Sequence, residues 1–125
     1  MRYKFVDCGQ FQVRISLDDG RTQAVYIASD TYHVDRVEVR EISSPGFMAE
    51  AAPHADIANA LLAHNAEVPI GSWRLHRHQH DDGCTAIFSI HISADTTAAT
   101  LSTVIQEAAL AADTVERHFT GDDKF

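Results

Sequence analysis

The sequence predicts an α+β domain: an antiparallel sheet of about five strands, in the order β-β-β-α-β-β-α, with both helices packed on one face. Three observations carry this. Two stretches alternate apolar and polar residues on either side of an Asp-Gly turn signal, the period-2 mark of half-buried strands. Two others repeat apolar residues at helical spacing. No linker rich in Pro, Gly or Ser divides the 125 residues, so residues 1–125 read as one domain.

The first hairpin spans Phe11 to Ile27. With Asp18, Asp19 and Gly20 as a three-residue loop and Gly20 in the left-handed position, Leu17 faces Arg21, Val13 faces Val25 and Phe11 faces Ile27. That register gathers the apolar side chains on one face, whereas a two-residue loop would scatter them. A third strand over about Asp35 to Ser43 adds Val37 and Val39, and Ser44-Pro45-Gly46 is expected to end it.

A helix follows near Pro53 to His64, with Pro53 in the first turn, where its missing N–H is not needed. Ile57, Leu61 and Leu62 form its apolar side, Asn65 marks its stop, and Pro69 forbids continuation.

The second hairpin runs from Trp73 to Ile92. A two-residue Asp82-Gly83 turn pairs Asp81 with Cys84, Arg77 with Phe88, Leu75 with Ile90 and Trp73 with Ile92. The opposite side then carries Arg74, His76, His78 and His80 with Thr85, Ile87, Ser89 and His91.

The last helix covers about Thr97 to His118, capped by Asp95 or Thr97. Its stripe is Leu101, Val104, Ile105, Ala108, Ala112, Val115 and Phe119; Gly121 marks the stop, and the residues after it read as a frayed tail. One apolar face per strand and one stripe per helix are satisfied by two layers, which leaves the far face of the sheet open to water or a partner.

Charge and composition narrow the function. A formal net charge of −8 disfavours a general nucleic-acid or anionic-membrane binder, which needs clustered Lys and Arg. No apolar run approaches the ~20 residues that span a bilayer. The N-terminal stretch has no secretory pattern, so a cytoplasmic location is expected. Cys8 and Cys84 then read as free thiols.

The eight histidines are many for this length. His76, His78 and His80 alternate on one strand, about 7 Å apart from one to the next. A tetrahedral zinc site with Zn–N bonds of about 2.0–2.1 Å would take His76 and His78, plus His91 from the neighbouring strand, diagonal to His76 in the expected register. The reading preferred over this is a solvated polar face whose histidines do nothing specific, and a partner or dimer surface is the other alternative.

Arg14, Arg36, Arg40 and Arg74 are placed with these histidines, which would make a locally basic face on an acidic chain. Glu38 and Glu41 would neutralise them in cross-strand pairs. Asp56, Glu67, Glu107, Asp113 and Glu116 read as solvated helix faces, and His54 and His64 as surface residues. Neither Gly83-Cys84-Thr85 nor Ser44-Pro45-Gly46 fits a nucleophile elbow.

The segment Gly20 to Ile27 (GRTQAVYI), the Ile42 to Gly46 turn (ISSPG), the Asn65…Trp73 stretch and Ala111-Ala112-Asp113 on the last helix resemble YbjN-type domains. These are related in fold to type III secretion chaperones of the CesT kind. The likeness covers roughly residues 11–119. It implies a non-enzymatic regulatory or chaperone-like protein-binding module without a cofactor, a homodimer in all expectation. Docking is expected on the open face or along a sheet edge, with Arg74, His76, His78 and His91 as the contact residues. The rival reading is a metal-binding sensor or hydrolase holding zinc on His76, His78 and His91.

Overall fold

The computed structural model describes the backbone of residues 2–6 and 9–119 and the side chains of residues 9–119. Cys8, Gly121 and the acidic tail read from the sequence lie outside the described residues. The elements are β1 (Arg2–Val6), β2 (Gln10–Ser16), β3 (Thr22–Ala28), β4 (Tyr32–Val34), β5 (Val37–Ala49), α1 (Ala55–Asn65), β6 (Ser72–Arg77), β7 (Cys84–Ser93) and α2 (Ala98–Phe119). The fold is α+β, as the pattern predicts. All pairings are antiparallel, the sheet runs β1-β2-β3-β5-β7-β6, and β4 pairs with β5 beside that path. The expected strands are β2, β3, β5, β6 and β7; β1 and β4 extend them to a sheet of seven.

The first hairpin has the expected register, with Val13 opposite Val25 and Phe11 opposite Ile27. Gly20 sits at φ +80°, and the N–H of Leu17 donates to the carbonyl of Arg21 at 2.8 Å to close the loop. β4 and β5 are joined by Asp35 and Arg36, with Asp35 at φ 56°. An aspartate tolerates that left-handed conformation better than most residues, which suits a two-residue hairpin turn.

Ser44-Pro45-Gly46 does not end the third strand. β5 continues through it to Ala49, with a shift of register between Pro45 and Phe47. Pro45 is accommodated at this bulge, where a ladder bond is lost anyway. A Cβ on Gly46 would come within 2.4 Å of the Trp73 ring, so the glycine marks a close approach rather than a chain reversal.

The second hairpin corrects the expected register. Cys84 faces Arg77, not Asp81, and Phe88 faces Trp73, a slip of four residues (81 − 77). The loop runs from His78 to Gly83, closed by the N–H of His78 donating to the carbonyl of Gly83 at 2.9 Å. The Asp81 carboxylate accepts the N–H of Gly83 at 2.7 Å and pairs with His78 Nδ1 at 2.9 Å. This side-chain network replaces the two-residue turn.

α1 begins two residues later than Pro53, because the carbonyl of His54 is the first to accept helical N–H bonds, from Ile57 and Ala58. α2 is capped by Thr97, whose hydroxyl accepts the N–H of Thr100 at 3.1 Å. The core gathers Val13, Ile15, Val25, Ile42, Phe47, Leu61, Trp73, Phe88 and Ile90 under Val104, Ile105, Ala108, Ala112 and Val115 of α2. The alanines let α2 lie close across β3, β5 and β7, while α1 covers β6.

Two carboxylates read as solvated are buried. Asp113 is 5 % and Glu116 0 % exposed. Arg21, at the end of the first hairpin loop, donates from Nε to Asp113 at 2.7 Å and from Nη2 to Glu116 at 3.1 Å. The partner lies more than ninety positions away in sequence, so helical spacing alone could not signal it.

Candidate functional site

The residues expected to bind a partner fall into three places. Arg74 and His76 lie on β6, the last strand of the sheet, and face away from the helices with Ile87 and Thr85 as their neighbours. His78 and His80 belong to the 78–83 loop. The His78 ring is taken up locally, Nδ1 by Asp81 and Nε2 by the Thr85 hydroxyl at 2.8 Å. His91 lies opposite Glu41 on β5.

His91 is not diagonal to His76. Thr85, which faces His76, is six positions from His91 along β7 (91 − 85), or about 20 Å at the rise of a strand. His76, His78 and His91 are therefore not brought together around one ion. Among the described residues no group of three or more His, Cys, Asp or Glu side chains is arranged to hold a metal.

The open face does carry a polar cluster. Glu41 Oε2 accepts from Arg74 Nη2 at 3.2 Å and from the Ser89 hydroxyl at 3.1 Å, and lies 3.6 Å from His91 Nε2. Arg74 Nε also donates to Ser89 at 3.0 Å. The expected neutralisation of an arginine by Glu41 is thus present. Arg40, by contrast, is not on this face: it faces the same way as Ile42, and its Nη1 donates to the carbonyls of Ala28 and Ser29. Arg36 lies in the β4–β5 turn, and Glu38 accepts from the Thr31 hydroxyl at 2.7 Å.

Beside His91 the open face turns apolar. The Tyr32 ring meets the His91 ring edge-on at 6.1 Å. Tyr32, Val34 and Val37, on the β4–β5 hairpin, are each about half exposed. Exposed aromatic and aliphatic side chains on adjacent strands mark a candidate contact surface.

The feature sequence reading missed is the edge of β6. Even-numbered residues of this strand bond to β7, as the His78–Gly83 bond at its end shows. The alternation of an antiparallel ladder turns the N–H and C=O groups of Trp73, Leu75 and Arg77 outward. The outward N–H of Trp73 donates to the Asn65 side chain at 2.6 Å, which covers that end of the edge. Leu75 and Arg77 continue beyond the cover.

Two grooves flank this edge on the helix side and meet at Leu75. One, of about 230 Å³, has Ala58, Leu61, Leu62 and Trp73 in its walls. The other, of about 280 Å³, is lined by Ala52, Pro53, Arg77 and the 78–83 loop. Leu62 is 65 % and Leu75 42 % exposed, large values for leucines that lie side by side. The spacing of Leu61 and Leu62 on a helix ahead of an edge strand was visible in the sequence; that β6 is the edge was not.

Cys84 is a buried free thiol whose Sγ lies 3.6 Å from the carbonyl of Ala51. His64, read as a surface residue, is half-buried and accepts the indole N–H of Trp73. Among the described residues no helix is long and apolar enough to cross a membrane. The chain matches no protein-family model, none of the curated proteins and none of the solved structures with which it was compared.

Proposed function

We propose that the chain is a non-enzymatic, cytoplasmic protein-binding module of the regulatory or chaperone-like kind that resembles YbjN-type domains. It takes an extended segment of its partner as an added strand along β6. The observation that carries this reading is the stretch of edge at Leu75 and Arg77 that none of the described residues covers, with an apolar groove beside it formed by Leu61, Leu62 and Trp73. Main-chain hydrogen bonds along an open edge supply affinity, and pockets for alternate side chains supply specificity. Arg74 and His76 flank the added strand on the open face.

Self-association is the second half of the proposal. The patch of Tyr32, Val34 and Val37, with His91 at its border, supports a homodimer contact away from β6.

The test replaces Arg77 with proline. The Arg77 N–H faces outward, so proline leaves the β6–β7 ladder intact and removes an edge donor. Immobilised wild-type protein selects a set of peptides from a random displayed library, and Arg77→Pro selects none of them. Equal selection by both proteins refutes binding at this edge. For the dimer, Val34→Lys with Val37→Lys converts a dimer to a monomer in light scattering. A wild-type protein that is monomeric at high concentration removes that half.

A further inference from the structure

We infer that the segment accepted by β6 is acidic on one side and apolar on the other, glutamate or aspartate alternating with valine, leucine or isoleucine. The inference rests on the strand-addition reading and adds the chemistry of the partner. A strand laid along Leu75 and Arg77 sends alternate side chains to opposite faces of the sheet. On the helix side they meet Ala58, Leu61, Leu62, Trp73 and Leu75, an apolar wall bordered by Arg74, and past Leu75 the groove at Arg77, whose far rim carries Asp81 and Asp82. On the open side they meet Arg74 and His76.

β6 itself, Ser72 to Arg77, holds two arginines and a histidine and no acidic residue. Arg74 keeps 42 % of its side chain exposed while it is paired with Glu41. An incoming carboxylate would therefore find a donor already oriented by Glu41 and Ser89. Charge-assisted contacts of this kind select a partner and speed its approach more than they add affinity.

The same charges argue against a second copy on this edge. An antiparallel pair centred on Leu75 sets Arg74 against His76 of the other copy. Centred on either neighbour, it sets Arg74 against Arg74 or His76 against His76. Arg74 opposite Arg74 is a like-charge pair that destabilises, and the pairs with His76 become so only where the imidazole is protonated; charged residues on an edge are a common guard against self-pairing.

The experiment titrates the ¹⁵N-labelled full chain with three blocked eight-residue peptides, alternating valine with glutamate, with lysine or with serine. The amides of Leu75 and Arg77 report binding. The glutamate peptide is expected to bind at least tenfold tighter than the lysine peptide, to lose most of that margin on Arg74→Glu, and to weaken as salt rises. Its binding disappears on Arg77→Pro, whose spectrum shows the fold retained. If all three peptides bind alike and Arg77→Pro abolishes them, the edge reading stands and the acidic preference is overturned. If none binds, both fall. If the Leu75 and Arg77 amides shift with protein concentration alone, the occupant is a second copy and the inference is overturned.

Discussion

The indole N–H of Trp73 donates to Nδ1 of His64 at 2.8 Å, tying the edge strand to the last turn of α1. The backbone N–H of the same tryptophan donates to Asn65, the next residue on the helix. The wall of the groove beside β6 is thus held by two successive residues of α1.

Removing the His64 acceptor leaves an indole N–H unpaired in a residue only 6 % exposed. His64→Leu should cost about 1–3 kcal/mol. Urea denaturation followed by emission of the single tryptophan measures it directly, with the slope of the transition unchanged. An unchanged midpoint would show that water replaces the bond.

Arg21 is the counter-charge for two carboxylates in the interior. Arg21→Ala takes the Arg21 contact from both Asp113 and Glu116, while Asp113 keeps Arg117 Nη1 at 3.9 Å, and removing one partner of a buried ion pair costs about 3–5 kcal/mol. Arg21→Ala with Glu116→Gln should recover part of that loss, because the amide needs no counter-charge. Thermal unfolding of the two variants compares them; additive losses would contradict the coupling.

Gly46 admits the Trp73 ring. A methyl group there would overlap two ring carbons, at 2.4 and 2.7 Å. The ring is backed by Phe88, centroids 5.4 Å apart, so it has little room to retreat. Gly46→Ala is expected to destabilise by about 1–3 kcal/mol, as overpacked core sites do. A blue- or red-shifted emission maximum in the folded variant would report the displaced ring.

Asp81 titrates below its ordinary value of 3.8, first because it accepts the Gly83 N–H and then because it pairs with His78. Its folded value is depressed, so its contribution is complete above the unfolded value. That contribution is lost as pH falls through the lower folded value. The Gly83 amide should therefore exchange faster, and the 78–83 loop loosen, only in strongly acidic solution. Asp81→Asn should remove that pH dependence. A carboxyl titration at the ordinary value, read by NMR, would contradict it.

The sequence made the first hairpin fully legible and the second only by face. In the first, a shift by one residue would have moved Val25 and Ile27 to the polar side, so the apolar set selects one register. In the second, the true register differs by an even number. Trp73, Leu75, Phe88 and Ile90 stay on the core side either way, and face alone cannot choose between them. The choice lay with Asp81, whose carboxylate closes a longer loop than the Asp82-Gly83 signal suggests. That slip carried His91 out of reach of His76 and dissolved the histidine constellation. Glu41 does neutralise one arginine of this face, Arg74, but over the intervening β7 at Ser89 rather than as a direct cross-strand pair.

β5 has a bearing on how the chain reaches this state. Ile42 stands between Ile27 of β3 and Ile90 of β7, so one strand stitches segments from both ends of the sequence. The pairing with β7 is non-local: it closes a loop containing α1 and β6 before any of it is rewarded, which slows folding. Severed in the Glu50–Pro53 segment that follows β5, the chain would yield two pieces, each with a hairpin and neither with a core. They would gain structure only on meeting, as complementing halves, and the amide of Ile42 would then be among the last to exchange with solvent.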